Sequence, residues 1–208
     1  MDNGPVSTDH EQQPGDGQEP ADSGAQQPLP PRRIGLVAAI APLVFALDLI
    51  TKVLVTANLE GSAPVRILGG AVYLQLVRNP GAAFSMATGM TWVLALVAIG
   101  VVIAIIWLAR RLRSVGWAIG LGLVLGGALG NLADRIFRAP GPLQGHVVDF
   151  VSVFAPNGDF FPVFNVADSA ISIGAVLIVL MSLLGRDYDG TSTRKQGKSQ
   201  AAAERDEP

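Results

Sequence analysis

The sequence predicts an all-α integral membrane protein built on four transmembrane helices. Half of its residues are hydrophobic and only 15% are charged, which is rich in apolar groups for a soluble chain of this length. Of 15 basic and 17 acidic residues, fourteen fall between Ile34 and Gly185, so the middle of the chain is far poorer in charge than its ends. That middle contains four apolar runs, each near the roughly 20 residues that cross about 30 Å of hydrocarbon as a helix. Buried helices of a soluble protein are the alternative, and four such runs in so short a stretch argue against it.

Residues 1–31 contain six prolines, six acids and no lysine or arginine, a composition that cannot bury enough apolar surface to offset the entropy of ordering. Residues 1–33 are therefore expected to form a disordered tail, and the stretch lacks the order of charged and apolar regions that marks a signal peptide. The predicted spans are Ile34 to Ala57, Met90 to Leu108, Val115 to Ala133 and Phe164 to Gly185. A polar segment, 186–208, follows and is expected to be flexible. Arg32 and Arg33 precede the first span, and Arg110, Arg111 and Arg113 crowd the link between the second and third. The positive-inside rule places both groups in the cytoplasm. With an even number of spans both termini are cytoplasmic, and the connections 58–89 and 134–163 face the exterior.

The first outer connection reads VRILGGAVYLQLVRNPGAAFS. Its partial alternation around Gly69 and Gly70 predicts a short hairpin or sheet at the interface, and its Asn-Pro-Gly predicts a turn. Gly116, Gly120, Gly122, Gly126, Gly127 and Gly130 give the third span overlapping small-xxx-small spacings that let helix backbones approach closely. Phe150, Phe154, Phe160, Phe161 and Phe164 gather in and beside the second connection, as suits an interfacial or lipid-contacting surface.

Several classes of function are excluded. A net charge of −2 and a pI near 5.6 give no general electrostatic reason to bind nucleic acid. The absence of cysteine removes disulfides, thiolate zinc sites and a cysteine nucleophile. His146 is the one histidine outside the polar tail, too few for a paired-histidine metal motif. It could serve Ser85, Ser152 or Ser169 in a serine-type site, but no G-x-S-x-G elbow accompanies them.

Ionisable groups at membrane depth demand a partner or a purpose. Asp48 and Lys52, four apart on one helix face, fit an ordinary ion pair. Asn131, Asp134 and Arg135 stack on adjoining turns at the end of span three as a polar cap. Asp159, beside an Asn-Gly turn, reads as a solvated loop acid. Asp149 and Asp168 differ, because apolar residues surround both and neither has a local cation. If they converge they share one proton, and an acid–carboxylate pair can activate water and protonate a carbonyl. Asn165 is an N-cap candidate that places Asp168 in a first helical turn, where a helix end stabilises negative charge, so Asp168 is the better base. A proton or cation path through a transporter fits two such acids equally well, and a membrane assembly subunit is a third reading.

Five blocks then resemble one known family. DLITK in span one, NPGAAFS after the hairpin, GGALGNLADR at the end of span three, GHVVDF, and FNVADSAI opening span four follow the order found in lipoprotein signal peptidases, also called signal peptidase II. The resemblance covers about residues 34–185. It implies a four-helix membrane aspartyl endopeptidase with a small extracytoplasmic β-cradle at about residues 62–86. Its expected substrates are diacylglyceryl-modified prolipoproteins, cut just before the lipidated lipobox cysteine. Asp149 and Asp168 match the family's catalytic pair. Asp48, Lys52, Asn79, Gly81, Asn131, Arg135, Asn165 and Ala167 match its substrate-binding or supporting positions, and Asp134 is expected to be structural. The implied setting is the bacterial cytoplasmic membrane, with the site at its outer face, membrane lipid around a monomer, and no metal or organic cofactor. The acidic, proline-rich N-terminal tail departs from the compact family pattern.

Overall fold

The computed structural model describes Met1 and residues 30–81 and 90–191. Ser85 and the end of the expected cradle, 82–86, lie outside the described residues, as does most of both tails. Four helices, α1 (Ile34–Leu59), α2 (Thr91–Ala109), α3 (Val115–Phe137) and α4 (Val166–Leu183), are each long and apolar enough to cross a membrane. They make this an integral membrane protein. In lipid every backbone polar group must be satisfied within the segment, which is why these runs are continuous helices.

The bundle is organised around α3, the most buried of the four, which packs against α1, α2 and α4. Its glycines allow this. A Cβ added at Gly126 would sit 2.7 Å from the Ala41 carbonyl oxygen of α1, and one at Gly120 would sit 2.7 Å from Ile178 of α4. The small-residue spacing thus serves two neighbours on two faces of one helix. On α1, Val37, Ala41 and Val44 form the buried stripe, and Asp48 and Lys52 continue it. Leu43, Leu47, Ile50 and Leu54 point outward, the arrangement expected where the surrounding solvent is hydrocarbon.

At one end of the bundle the two long connections meet in a three-stranded antiparallel sheet, ordered β1 (Val65–Ile67), β2 (Val72–Asn79) and β3 (Val147–Val153). The third strand comes from the second connection, whereas the sequence placed the whole sheet in the first. Leu74 faces Val151 and Val77 faces Asp149, so three steps along β2 match two along β3, a β-bulge. The phenylalanines also divide. Phe154 and Phe160 are exposed and meet edge to face at 5.2 Å, but Phe150 is buried, since it lies within β3 and the other two follow the strand's end.

At the opposite end, the Arg33 amide donates to the Leu112 carbonyl at 2.8 Å and the Arg113 amide to the Tyr188 carbonyl at 2.8 Å. Tyr188 packs edge to face on Trp117, with ring centroids 6.2 Å apart. The entry to α1, the α2–α3 link and the exit from α4 are therefore clasped together.

Candidate active site

The first turn of α4 fixes one acid. Asn165 caps the helix from an extended conformation, its side-chain oxygen accepting from the Asp168 amide at 2.9 Å, while Asp168 Oδ2 accepts from the Asn165 amide at 3.2 Å. This reciprocal capping box satisfies two orphan donors of the helix start and leaves the Asp168 side chain little freedom. The second acid, Asp149, comes from β3. Asn165 Nδ2 donates to Asp149 Oδ1 at 2.7 Å, so one asparagine touches both acids. Asn79 Nδ2, at the end of β2, donates to Asp149 Oδ2 at 2.9 Å, and Asn131 Nδ2 of α3 donates to Asp168 Oδ1 at 2.7 Å. All four carboxylate oxygens therefore receive an N–H.

Both acids open on a cavity of about 590 Å³ that also takes in Arg135, Phe161, Phe164 and Ile171. Asp149 is only 2% exposed. Burial, and next the charge of Asp168, push its carboxyl up to about 7; the hydrogen bond from Asn79, the charge of Lys52 and the hydrogen bond from Asn165 pull the other way. A group so placed holds its proton near neutrality, when an ordinary aspartate has lost it.

Behind the acids lies a buried polar layer. Lys52 Nζ contacts Asp48 Oδ2 at 2.7 Å, Asp134 Oδ2 at 2.9 Å and Asn131 Oδ1 at 3.0 Å. The ion pair of Asp48 and Lys52 is thus present, but it is one arm of three. Asp48 Oδ1 accepts from the Ala167 amide at 2.9 Å, and Asp134 Oδ2 accepts from the Val148 amide at 3.1 Å while Oδ1 pairs with Arg138. Gly130 has no room for a Cβ, which would run into the Asp48 carboxylate. Arg135 donates to the carbonyls of Asn131 at 3.2 Å and Gly81 at 3.3 Å, and the Gly81 amide donates to Asn79 Oδ1 at 2.9 Å.

The structure brings Asp48, Lys52, Asn79, Gly81, Asn131, Arg135, Asn165 and Ala167 into one connected network around the two acids. His146 is elsewhere, in a separate cavity of about 380 Å³ with Pro80, Thr91 and Gln144. The Ser152 hydroxyl donates to the Ala155 carbonyl at 2.6 Å and that of Ser169 to the Asn165 carbonyl at 3.0 Å, so neither is presented to the imidazole. Exposed Asp159 fits the solvated loop acid. Among the described residues, no group of three or more histidine or acid side chains converges as a metal site would require. The sequence reading missed Ile171 and Ser172, which line the cavity below Asp168; their spacing of three and four from that acid on a helix was the available signal.

Comparison with known proteins agrees with this architecture. Residues 40–184 match the family model of signal peptidase (SPase) II. The chain is 59% identical over 173 residues to a lipoprotein signal peptidase of Rhodococcus jostii, covering 83% of this chain and 85% of the relative. It is 55% identical over 179 residues to one of Mycobacterium avium, covering 86% and 96%. A bacterial membrane enzyme solved by the in meso method superposes with a TM-score of 0.63 at 28% identity, over 74% of this chain and 92% of that one. The chain belongs to the signal peptidase II family and is a membrane-embedded aspartic peptidase.

Proposed function

We propose that Asp149 and Asp168 are the catalytic pair of this peptidase, and that it cuts diacylglyceryl-modified prolipoproteins just before the lipidated cysteine. Removal of signal peptides from prolipoproteins follows from the family itself; the pair and the position of the cut are the finer reading. The observation that carries it is a shared cavity onto which two acids from different elements open, one of them buried and holding its proton near neutrality.

In this reading Asp168, at the helix N-terminus with a donor on each oxygen, is the base. It takes a proton from a water as the oxygen attacks the scissile carbonyl carbon, and Asp149 gives its proton to the carbonyl oxygen. Collapse of the resulting diol returns a proton to Asp149 while Asp168 passes its own to the departing nitrogen, and both acids end as they began. The water supplies the nucleophile, so the chemistry calls for no metal or organic cofactor. The apolar side of the cavity, with Phe161, Phe164 and Ile171, suits a lipid-bearing substrate.

The site faces the exterior of the bacterial cytoplasmic membrane and both tails, 1–33 and 186–208, lie in the cytoplasm. Support comes from Arg32, Arg33, Arg110, Arg111 and Arg113, which gather at the end of the bundle opposite the sheet. The enzyme works as a monomer surrounded by lipid.

The test is cleavage of a lipid-modified lipobox peptide by the purified chain and by Asp149→Asn and Asp168→Asn. Both variants should fold and bind peptide but lose turnover. Wild-type turnover in either removes that residue from the pair.

A further inference from the structure

An ammonium has three N–H donors and no acceptor. Lys52 is completely buried; its ammonium donates to Asn131 and lies at ion-pair distance from Asp48 and Asp134. Enclosed by these three side chains and without exposed surface, it is out of a substrate's reach. What lies beyond each acceptor gives the arrangement its meaning. Asp48 holds the amide of Ala167, the residue before Asp168, and Asp134 holds the amide of Val148, the residue before Asp149. Asn131 holds Asp168 itself.

The third arm also decides which way an amide points. Because Lys52 can only donate, it must meet the oxygen of Asn131, and the Asn165 amide nitrogen meets that same oxygen at 3.2 Å. The nitrogen of Asn131 is therefore directed at Asp168 Oδ1. The same logic orients the other two asparagines. Asn79 Oδ1 is taken by the Gly81 amide and Asn165 Oδ1 by the Asp168 amide, which leaves both nitrogens for Asp149.

We propose that Lys52 is a positioning residue for the acid pair: it ties down the residue preceding each acid and forces the amide N–H of Asn131 onto Asp168. This rests on the reading of Asp149 and Asp168 as the catalytic pair and deepens it. Lys52 touches no substrate; it acts through Asp48, Asp134 and Asn131, so its loss affects turnover more than binding.

The experiment compares kcat, KM, the pH–rate profile and thermal unfolding for Lys52→Met, for the charge-balanced Asp48→Asn/Lys52→Met and for Asn131→Asp, in detergent with a lipid-modified lipobox peptide. The double variant keeps an oxygen for the Ala167 amide and serves where Lys52→Met alone yields too little folded protein. For folded Lys52→Met or the double variant, kcat should fall about a hundredfold, the size of effect that misplacement by about 1 Å produces, with KM within about threefold. Asn131→Asp should show the same split, since a carboxylate still pairs with Lys52 but offers Asp168 no N–H.

The fall in kcat per folded molecule at nearly unchanged KM is the readout that a purely structural lysine would not move, and the pH profile adds a second. Asp149 is faced by Asp168 on α4, Lys52 on α1 and Arg135 on α3, and is hydrogen-bonded by Asn79 and Asn165. Removing the Lys52 charge takes away an influence that lowers the Asp149 carboxyl, so the alkaline limb should move to higher pH. Lowered unfolding temperature with unchanged kcat per folded molecule and an unmoved limb would overturn the proposal, as would Asn131→Asp with kcat within about threefold of wild type. Failure of the catalytic-pair reading looks different, because Asp168→Asn would then retain turnover whatever Lys52 does.

Discussion

Replacing Asp149 by asparagine should reverse sign as a stability change between pH 4 and pH 8. In the folded protein the carboxyl is raised to about 7 by burial and by Asp168, whereas in the unfolded chain it titrates near the ordinary value of about 3.9. Below about pH 4 both states are protonated and the group contributes no pH dependence. Between about 4 and 7 the unfolded chain releases its proton and the folded one keeps it, so stability falls as pH rises. Three units at about 1.4 kcal/mol each give a loss of about 4 kcal/mol by pH 8, after which the contribution is flat. Asparagine abolishes this slope. It also has one acceptor where aspartate has two, so one of the donors Asn79 and Asn165 is left facing an N–H, at about 1–3 kcal/mol. The variant should therefore be the weaker protein by about 1–3 kcal/mol at pH 4 and the stronger one by a similar amount at pH 8. Denaturant unfolding of both proteins in detergent micelles across that range measures it. Parallel curves, with a difference that changes by less than about 1 kcal/mol, would refute the idea that a buried acid carries its proton at this site.

Other changes have equally definite outcomes. Asp134→Ala strips an acceptor from both Lys52 and the Val148 amide, and should destabilise the fold by about 3–5 kcal/mol, read from the same unfolding curves. Gly126→Ala puts a methyl against the Ala41 carbonyl and should cost about 1–3 kcal/mol. Gly100→Ala on α2 meets nothing within 4 Å and should be neutral or slightly stabilising; equal effects at the two glycines would contradict the packing account. Tyr188→Ala removes the edge-to-face contact with Trp117 and should lower thermal stability by about 1 kcal/mol without changing kcat, since it lies at the end of the bundle away from the acids.

The helices were readable because lipid imposes a single local rule, an unbroken apolar run, on each. Asp149 and Asp168 were readable for the complementary reason that a carboxylate in apolar company is expensive. The third strand was not. Val147–Val153 finds its partner about 70 residues earlier in β2, and no local pattern records a pairing that tertiary structure creates. Lys52 shows the same limit. Its helical neighbour Asp48 was visible at a spacing of four, but Asp134 and Asn131 belong to another helix and meet it only once α1 packs on α3. The role of Asn79 came from family resemblance alone, since an asparagine before Pro-Gly otherwise reads as turn chemistry.

The bulge in β2 has a consequence for which sequences can serve here. Up to Leu74 the even-numbered side chains of β2 share a face with Val151 and Val153; from Val77 onward the odd-numbered ones share that face with Asp149 and Val147. One additional residue thus inverts the parity of the strand and delivers Asn79 to the acid's side of the sheet. Trimming a single residue between Leu74 and Val77 would leave every other side chain of the strand in being but send Asn79 to the wrong face, so the chain can vary in length at its surface turns and not at this one step.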